Sequence, residues 1–184
     1  NAIVRQIRAK CIPVISEIEL AYRHKEGSRI VGITGSNGKT TTTSLTWHIC
    51  RAGGLDCALV GNIGISFARQ VAEDPKPWYI AEISSFQLDD IEAFRPDIAI
   101  LTNITEDHLD RYDYRFENYI KSKFGIVQHQ VADDFFIYNE DDPVIGKNLS
   151  RYPFKSNPLP FTMKQEPNQG GFIMNGVMTL KTGR

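Results

Sequence analysis

"GITGSNGKTTTTS", residues 32–44, follows the strand-like run Arg29-Ile30-Val31 and leads into a stretch with helical spacing. Gly32 through Thr40 fit the pattern G-x-x-x-x-G-K-[ST], which carries weight only between a strand and a helix, and that is where it falls. Gly35 and Gly38 free the backbone around Ser36 and Asn37 to wrap its N–H groups about phosphate oxygens. Lys39 is placed to reach terminal phosphates, and Thr40 offers a hydroxyl to Mg²⁺, with Thr41 next on the first helical turn. The loop marks a nucleotide site. Switches, motors and kinases all carry such loops, so it does not choose a reaction.

Outward from the loop, strands and helices alternate. A strand covers 29–35, and a helix covers 39–53 with Leu45, Ile49 and Ala52 as its apolar stripe and Gly53-Gly54 as its stop. The four consecutive threonines at its start are poor helix formers, which suits a helix start held by phosphate contacts. "LDCALVG" (55–61) reads as a strand, followed by a helix around 67–72. "WYIAEIS" (78–84) and "DIAILTNI" (97–104) are nearly continuous in apolar residues, as strands buried on both faces are. "FENYIKSKFGIVQHQ" (116–130) is a helix and "DDFFIYNED" (133–141) a strand with a turn.

Upstream, residues 1–24 have helical spacing broken at Pro13, and Ser16 with Glu19 has the form of a capping box. From Tyr152 onward, Pro, Gly and Asn with short alternating runs predict antiparallel ribbons rather than another crossover unit. The fold class is therefore α/β: a P-loop-containing, mostly parallel sheet flanked by helices, with a small antiparallel ribbon region near the C-terminal end.

At 184 residues the chain has room for one domain, or one domain and a fragment of another. A net charge of -1 gives no general attraction to nucleic acid or anionic membrane. Cys11, Cys50 and Cys57 lack metal-ligand spacing and leave an odd thiol in any disulfide scheme, which fits reduced thiols in the cytoplasm. No apolar stretch nears 20 residues and no signal-peptide pattern opens the chain, so membrane insertion and export find no support.

Open α/β sheets gather ligands outside the carboxyl ends of their strands. Glu82 closes one strand, Asn62 follows another, and "TNITEDHLDRY" brings Glu106, Asp107, His108 and Asp110 after a third. Glu82 is the natural carboxylate for the cation held by Thr40, the alternative being a solvated strand-end glutamate. His108 stands among acids where a second cation would be useful, although Mg²⁺ prefers oxygen and a structural histidine is the other reading. Ser84 and Ser85 belong to no nucleophile pattern. Spacing alone leaves Lys121 and Lys123 as surface lysines.

Together, "GITGSNGKTTT", "VGNIG", "AEISSFQLD", "LTNITEDHLDRY" and "ENYIKSKFGI" resemble, in order and spacing, the central ATP-binding domain of the Mur ligase family. The resemblance is close over residues 14–150 and favours the D-glutamate-adding members. Other Mur-type or folylpolyglutamate-type ligases and a non-catalytic P-loop module remain alternatives. It implies an ATP-dependent ligase of peptidoglycan precursor synthesis, joining D-glutamate to UDP-N-acetylmuramoyl-L-alanine through an acyl phosphate. It implies two Mg²⁺ sites, with Thr40 and Glu82 as ligands of the first and His108 of the second. Lys123 matches a family lysine carbamylated by CO₂, and Asn62 and Ser84 would place the muramoyl substrate. Residues 1–17 would be the tail of a UDP-binding domain and 18–184 a central domain incomplete at its C-terminal side. The fragment alone would then be inactive and its parent a cytoplasmic monomer.

Overall fold

The computed structural model describes residues 2–182. Asn1, Gly183 and Arg184, the outer limits of the two expected segments, lie outside the described residues. In chain order the elements are α1 (Ala2–Ala9), α2 (Glu17–His24), β1 (Arg29–Thr34), α3 (Lys39–Ala52), β2 (Cys57–Gly61), α4 (Phe67–Glu73), β3 (Trp78–Glu82), α5 (Ser85–Leu88) and β4 (Ile98–Leu101). There follow α6 (Phe116–Phe124), β5 (Phe135–Asn139), α7 (Pro143–Asn148), β6 (Asn157–Thr162), β7 (Gly170–Met174) and β8 (Val177–Lys181). One sheet runs in the order β2-β3-β1-β4-β5-β6-β7-β8. All pairs are parallel except β7 with β8, which form the expected antiparallel ribbon. The chain leaves β1 toward β2 on one side and later returns to β4 on the other. The carboxyl ends of β1, β3 and β4 therefore frame the switch point.

The two faces of the sheet are covered unequally. Ile30, Tyr79, Ala81, Ala99, Leu101 and Phe136 join Phe67, Phe94, Tyr119 and Phe124 in the larger core. On the opposite face, Val31, Ile33, Cys57 and Ile80 are packed by Trp47, Cys50 and Leu55. This arrangement corrects the expected stripe of α3. Leu45 and Ile49 are 56% and 59% exposed, and Thr43, Trp47 and Cys50 face the sheet instead. Both stripes have helical spacing, but a two-residue offset turns them roughly 200° apart. Thr43 and Thr46 each donate a hydroxyl hydrogen to the carbonyl four residues back.

Ahead of the β7–β8 ribbon, β6 departs from the antiparallel expectation. Asp142 caps α7 by accepting from the N–H groups of Val144 and Ile145, and this short helix carries the chain across to β6, parallel to β5. β6 holds two prolines, Pro158 and Pro160. The N–H of Asn157 donates to the Asp134 carbonyl, and the Phe161 carbonyl accepts from Glu140. The odd-numbered residues of β6 thus bond to β5, and the prolines turn their missing donors toward β7, which pairs only from Phe161 onward. The helix expected over 116–130 is also shorter, ending at Phe124 with a 3-10 turn over 125–127.

Ser16 does cap α2, accepting from the N–H of Glu19, but the reciprocal half of the capping box is absent. The Glu19 carboxylate is fully buried and accepts from the N–H groups of Glu92, Ala93 and Phe94 at 2.8–3.0 Å and from Arg23 Nε at 2.8 Å. It pins the loop after α5 to the helix that enters the domain. Burial works to raise its pKa, and the hydrogen bonds from Ala93, Arg23, Glu92 and Phe94 outweigh that, leaving it below the usual value. A lowered carboxylate stabilises above its unfolded pKa and loses that stability as pH falls through the folded one. Glu19→Gln is expected to cost about 1.5–3 kcal/mol at neutral pH, since charge-assisted bonds are the ones lost. Urea unfolding should show the gap from wild type narrowing below about pH 4.

Candidate functional site

The phosphate loop leaves β1 at Thr34 and enters α3 at Lys39. Gly35 sits at φ +148°, and a Cβ there would lie 2.0 Å from Thr102 Oγ1, so only glycine lets the loop pass this close to the end of β4. Gly38 takes a left-handed conformation (φ +79°) as N-cap of the 14-residue α3. Thr40 and Thr41 stand exposed on its first turn. Lys39 is folded back, its Nζ donating to the Ser36 carbonyl at 2.9 Å. The Ser36 side chain is buried and turned toward Thr105 and Tyr119, its N–H donates to the Asn103 carbonyl at 2.9 Å, and the Asn37 N–H donates to Asn103 Oδ1 at 2.8 Å.

Glu82, the last residue of β3, is 1% exposed. Its Oε1 accepts from Asn62 Nδ2 at 2.8 Å, while Oε2 is buried without a hydrogen-bond partner. Asn62 is fixed in turn by donating its own N–H to the Glu82 carbonyl at 2.9 Å. Ser84 caps α5: its hydroxyl accepts from the Gln87 N–H, and the Gln87 side chain accepts from the Ser84 N–H. A true capping box therefore lies here rather than at Ser16. His108 adopts a left-handed φ of +49°, its side chain is half exposed, and Phe86 packs on its ring at 5.0 Å. The Arg111 guanidinium covers Phe86 at 4.3 Å.

Lys123 is 1% exposed, and its Nζ donates to the Gly35 carbonyl at 2.8 Å and to Thr34 Oγ1 at 3.2 Å. The surface-lysine alternative is excluded. Burial, then the nearby Lys39 charge, push its pKa down to about 7 against the partial opposition of Asp107, Glu82 and Asp89. Half of the amine is thus neutral near pH 7, a chemical state that an exposed lysine reaches only well above that pH.

A cavity of about 140 Å³ brings together Lys39, Asn62, Ser84, His108 and Lys123, and adds Phe86, Asp107 and Tyr119. Glu82 joins them through its bond to Asn62. Tyr119 was missed at the level of sequence, although its place one helical turn before Lys123 puts the two on one face of α6. Among the described residues, no three His, Cys, Asp or Glu side chains gather as a metal-holding group.

Residues 33–169 match the family described as Mur ligase middle domain. The chain belongs to the Mur ligase family. It is 51% identical over 170 residues to the UDP-N-acetylmuramoylalanine--D-glutamate ligase of Christiangramia forsetii, a match covering 92% of this chain and 38% of that protein. The ligase of the same name from Bacteroides fragilis is 47% identical over 171 residues, covering 93% and 38%. This Mur ligase chain thus spans less than two fifths of the length of these relatives. Among solved structures it is similar to the MurF ligase of Thermotoga maritima in complex with ADP, with a TM-score of 0.65 at 24% identity over 90% of this chain and 42% of that one. E. coli FolC in complex with DHPP and ADP gives 0.58 at 13% identity, covering 92% and 53%. At such identities these two structures speak for the fold alone. No described helix is long and apolar enough to cross a membrane.

Proposed function

We propose that this chain is the nucleotide-binding part of an ATP-dependent ligase that joins D-glutamate to UDP-N-acetylmuramoyl-L-alanine. The observation that carries the reading is the buried, unpartnered Oε2 of Glu82, whose other oxygen holds Asn62 at the edge of the cavity that Lys39 and the buried Lys123 line. A lone carboxylate oxygen out of water calls for a cation. The identity of the acceptor rests on the activity for which the relatives at 47–51% identity are named.

The donor set fits Mg²⁺ where it offers oxygen, from Glu82 Oε2 and the Thr40 hydroxyl. His108 would serve a second site as a nitrogen ligand. Lys123 fits only when its neutral amine has added CO₂, forming an N–C bond and releasing a proton to give an anionic carbamate. Bound Mg²⁺ supplies positive charge to the phosphoryl oxygens as negative charge spreads over them.

Lys39 would swing from the Ser36 carbonyl to the terminal phosphates and hold them against the substrate carboxylate. That carboxylate oxygen forms a bond to the γ-phosphorus while the bond to the bridging β–γ oxygen breaks, and ADP leaves with the electron pair. Asn62 and Ser84 would orient the acyl phosphate. The D-glutamate amine then attacks the carbonyl carbon, loses a proton, and phosphate departs. Neither step needs a protein nucleophile.

The test follows phosphate release by a protein carrying this chain at the full length of its relatives, with ATP, Mg²⁺ and UDP-N-acetylmuramoyl-L-alanine. D-glutamate, L-alanine, L-lysine and meso-diaminopimelate are offered in turn. Release that needs both the nucleotide sugar and D-glutamate is the expected result. Turnover with another amino acid would move the assignment to a sister ligase, and ATP binding without release under any acceptor would overturn ligase chemistry.

A further inference from the structure

Two loops of the site bind each other's backbone reciprocally. The Ser36 hydroxyl donates to the Thr105 carbonyl at 2.9 Å and accepts from the Thr105 N–H at 2.9 Å. In the opposite direction, the Asn103 carboxamide accepts from the Asn37 N–H at 2.8 Å and donates to the Asn37 carbonyl at 2.9 Å. Each side chain so satisfies both main-chain groups of one residue across the gap. Thr102 Oγ1 donates to the second lone pair of the Asn37 carbonyl at 2.9 Å, and Tyr119 places its hydroxyl 3.1 Å from Ser36 Oγ. With Tyr119 as donor, the Ser36 hydroxyl uses its one hydrogen and both lone pairs.

A surface loop could satisfy these groups with water. Here they are committed to one another, between the arch that carries Lys39 and the segment that leads to Asp107 and His108. We propose that Ser36 and Asn103 are positioning residues, which clamp residues 36–37 to 103–105 so that the phosphate loop and the His108 loop keep a fixed separation. Neither is a phosphate ligand through its side chain. The clamp holds the arch in shape before nucleotide arrives, so binding does not have to order it. This inference takes its ligand, Mg·ATP, from the reading above.

Calorimetric titration with Mg·ATP tests it on the full-length protein, for wild type, Ser36→Ala, Asn103→Ala, the double variant and Ser36→Thr, with Tm measured for each. Either single variant is expected to weaken binding about tenfold, the worth of one or two hydrogen bonds. The double variant should be clearly less weakened than the product of the two single losses, because both side chains hold the same pair of loops in one arrangement. Ser36→Thr keeps the hydroxyl and should recover most of the affinity.

Losses that multiply in the double variant would mean two independent contacts and overturn the clamp. An unchanged Kd with a lowered Tm would reduce both residues to structural supports and overturn it equally. Failure of the ligase reading looks different: wild type would bind Mg·ATP but release no phosphate with any acceptor, and the Kd comparison would still decide the clamp. A wild type that does not bind Mg·ATP overturns both.

Discussion

Glu82→Gln is expected to lower ligase turnover by about 10³-fold, the scale of losing one electrostatic contact to a charged transition state. The same change should leave the metal-free protein as stable as wild type or more so. The carboxamide oxygen it introduces can still accept from Asn62 Nδ2, and the substitution removes an anionic oxygen that is buried without a partner. Such a charge costs folding free energy unless a cation answers it. A group that weakens the empty protein and serves the loaded one is the expected form of a stability–activity trade-off. Melting with chelator and with Mg·ATP separates the two states. Wild type should gain Tm with Mg·ATP through ligand linkage, and the variant should lose most of that gain. A fall in turnover of less than tenfold would remove Glu82 from the cation site.

Much of this site was legible in sequence because its parts are local. "GSNGKT" encodes its own turn, and strands buried on both faces announce themselves as apolar runs, which together give the parallel sheet and the ends at which Glu82, Asn62 and His108 emerge. What the sequence withheld depends on direction rather than order. Leu45–Ile49 and Thr43–Trp47 are both helical stripes, and only the fixed exit of the chain from the P-loop decides which faces the sheet. Ser36 lies within the motif yet turns its hydroxyl the other way, toward Thr105. Lys123 looks like any helix lysine until α6 is docked over the end of β1. The parallel placement of β6 depends on which neighbour its alternate residues bond, a property of register that the composition of 152–182 does not carry.

Lys123 carries the second large effect, because its burial makes it a reporter of pH. Its folded pKa lies near 7, whereas an unfolded lysine holds its proton to about 10.4. Between these values the unfolded chain binds more protons, so in metal-free, CO₂-depleted buffer stability should rise as pH climbs from 7 toward 10. Below pH 7 the penalty is present in full. The span corresponds to on the order of 4 kcal/mol. Lys123→Met removes the titrating group and should flatten this rise, making the variant the more stable protein at pH 6 although the Gly35 carbonyl loses its donor. It should also abolish ligase turnover at every pH, since neither an amine nor a carbamate can form there. Bicarbonate added at pH 8 separates the two roles: it should raise wild-type turnover and leave the Met variant unchanged. A Met variant that kept both the pH-dependent rise and its turnover would move the titration and the chemistry away from Lys123. Retention of turnover alone would leave the buried amine as a structural group satisfied by Gly35 and Thr34, and the cation site would then rest on Glu82, Thr40 and His108.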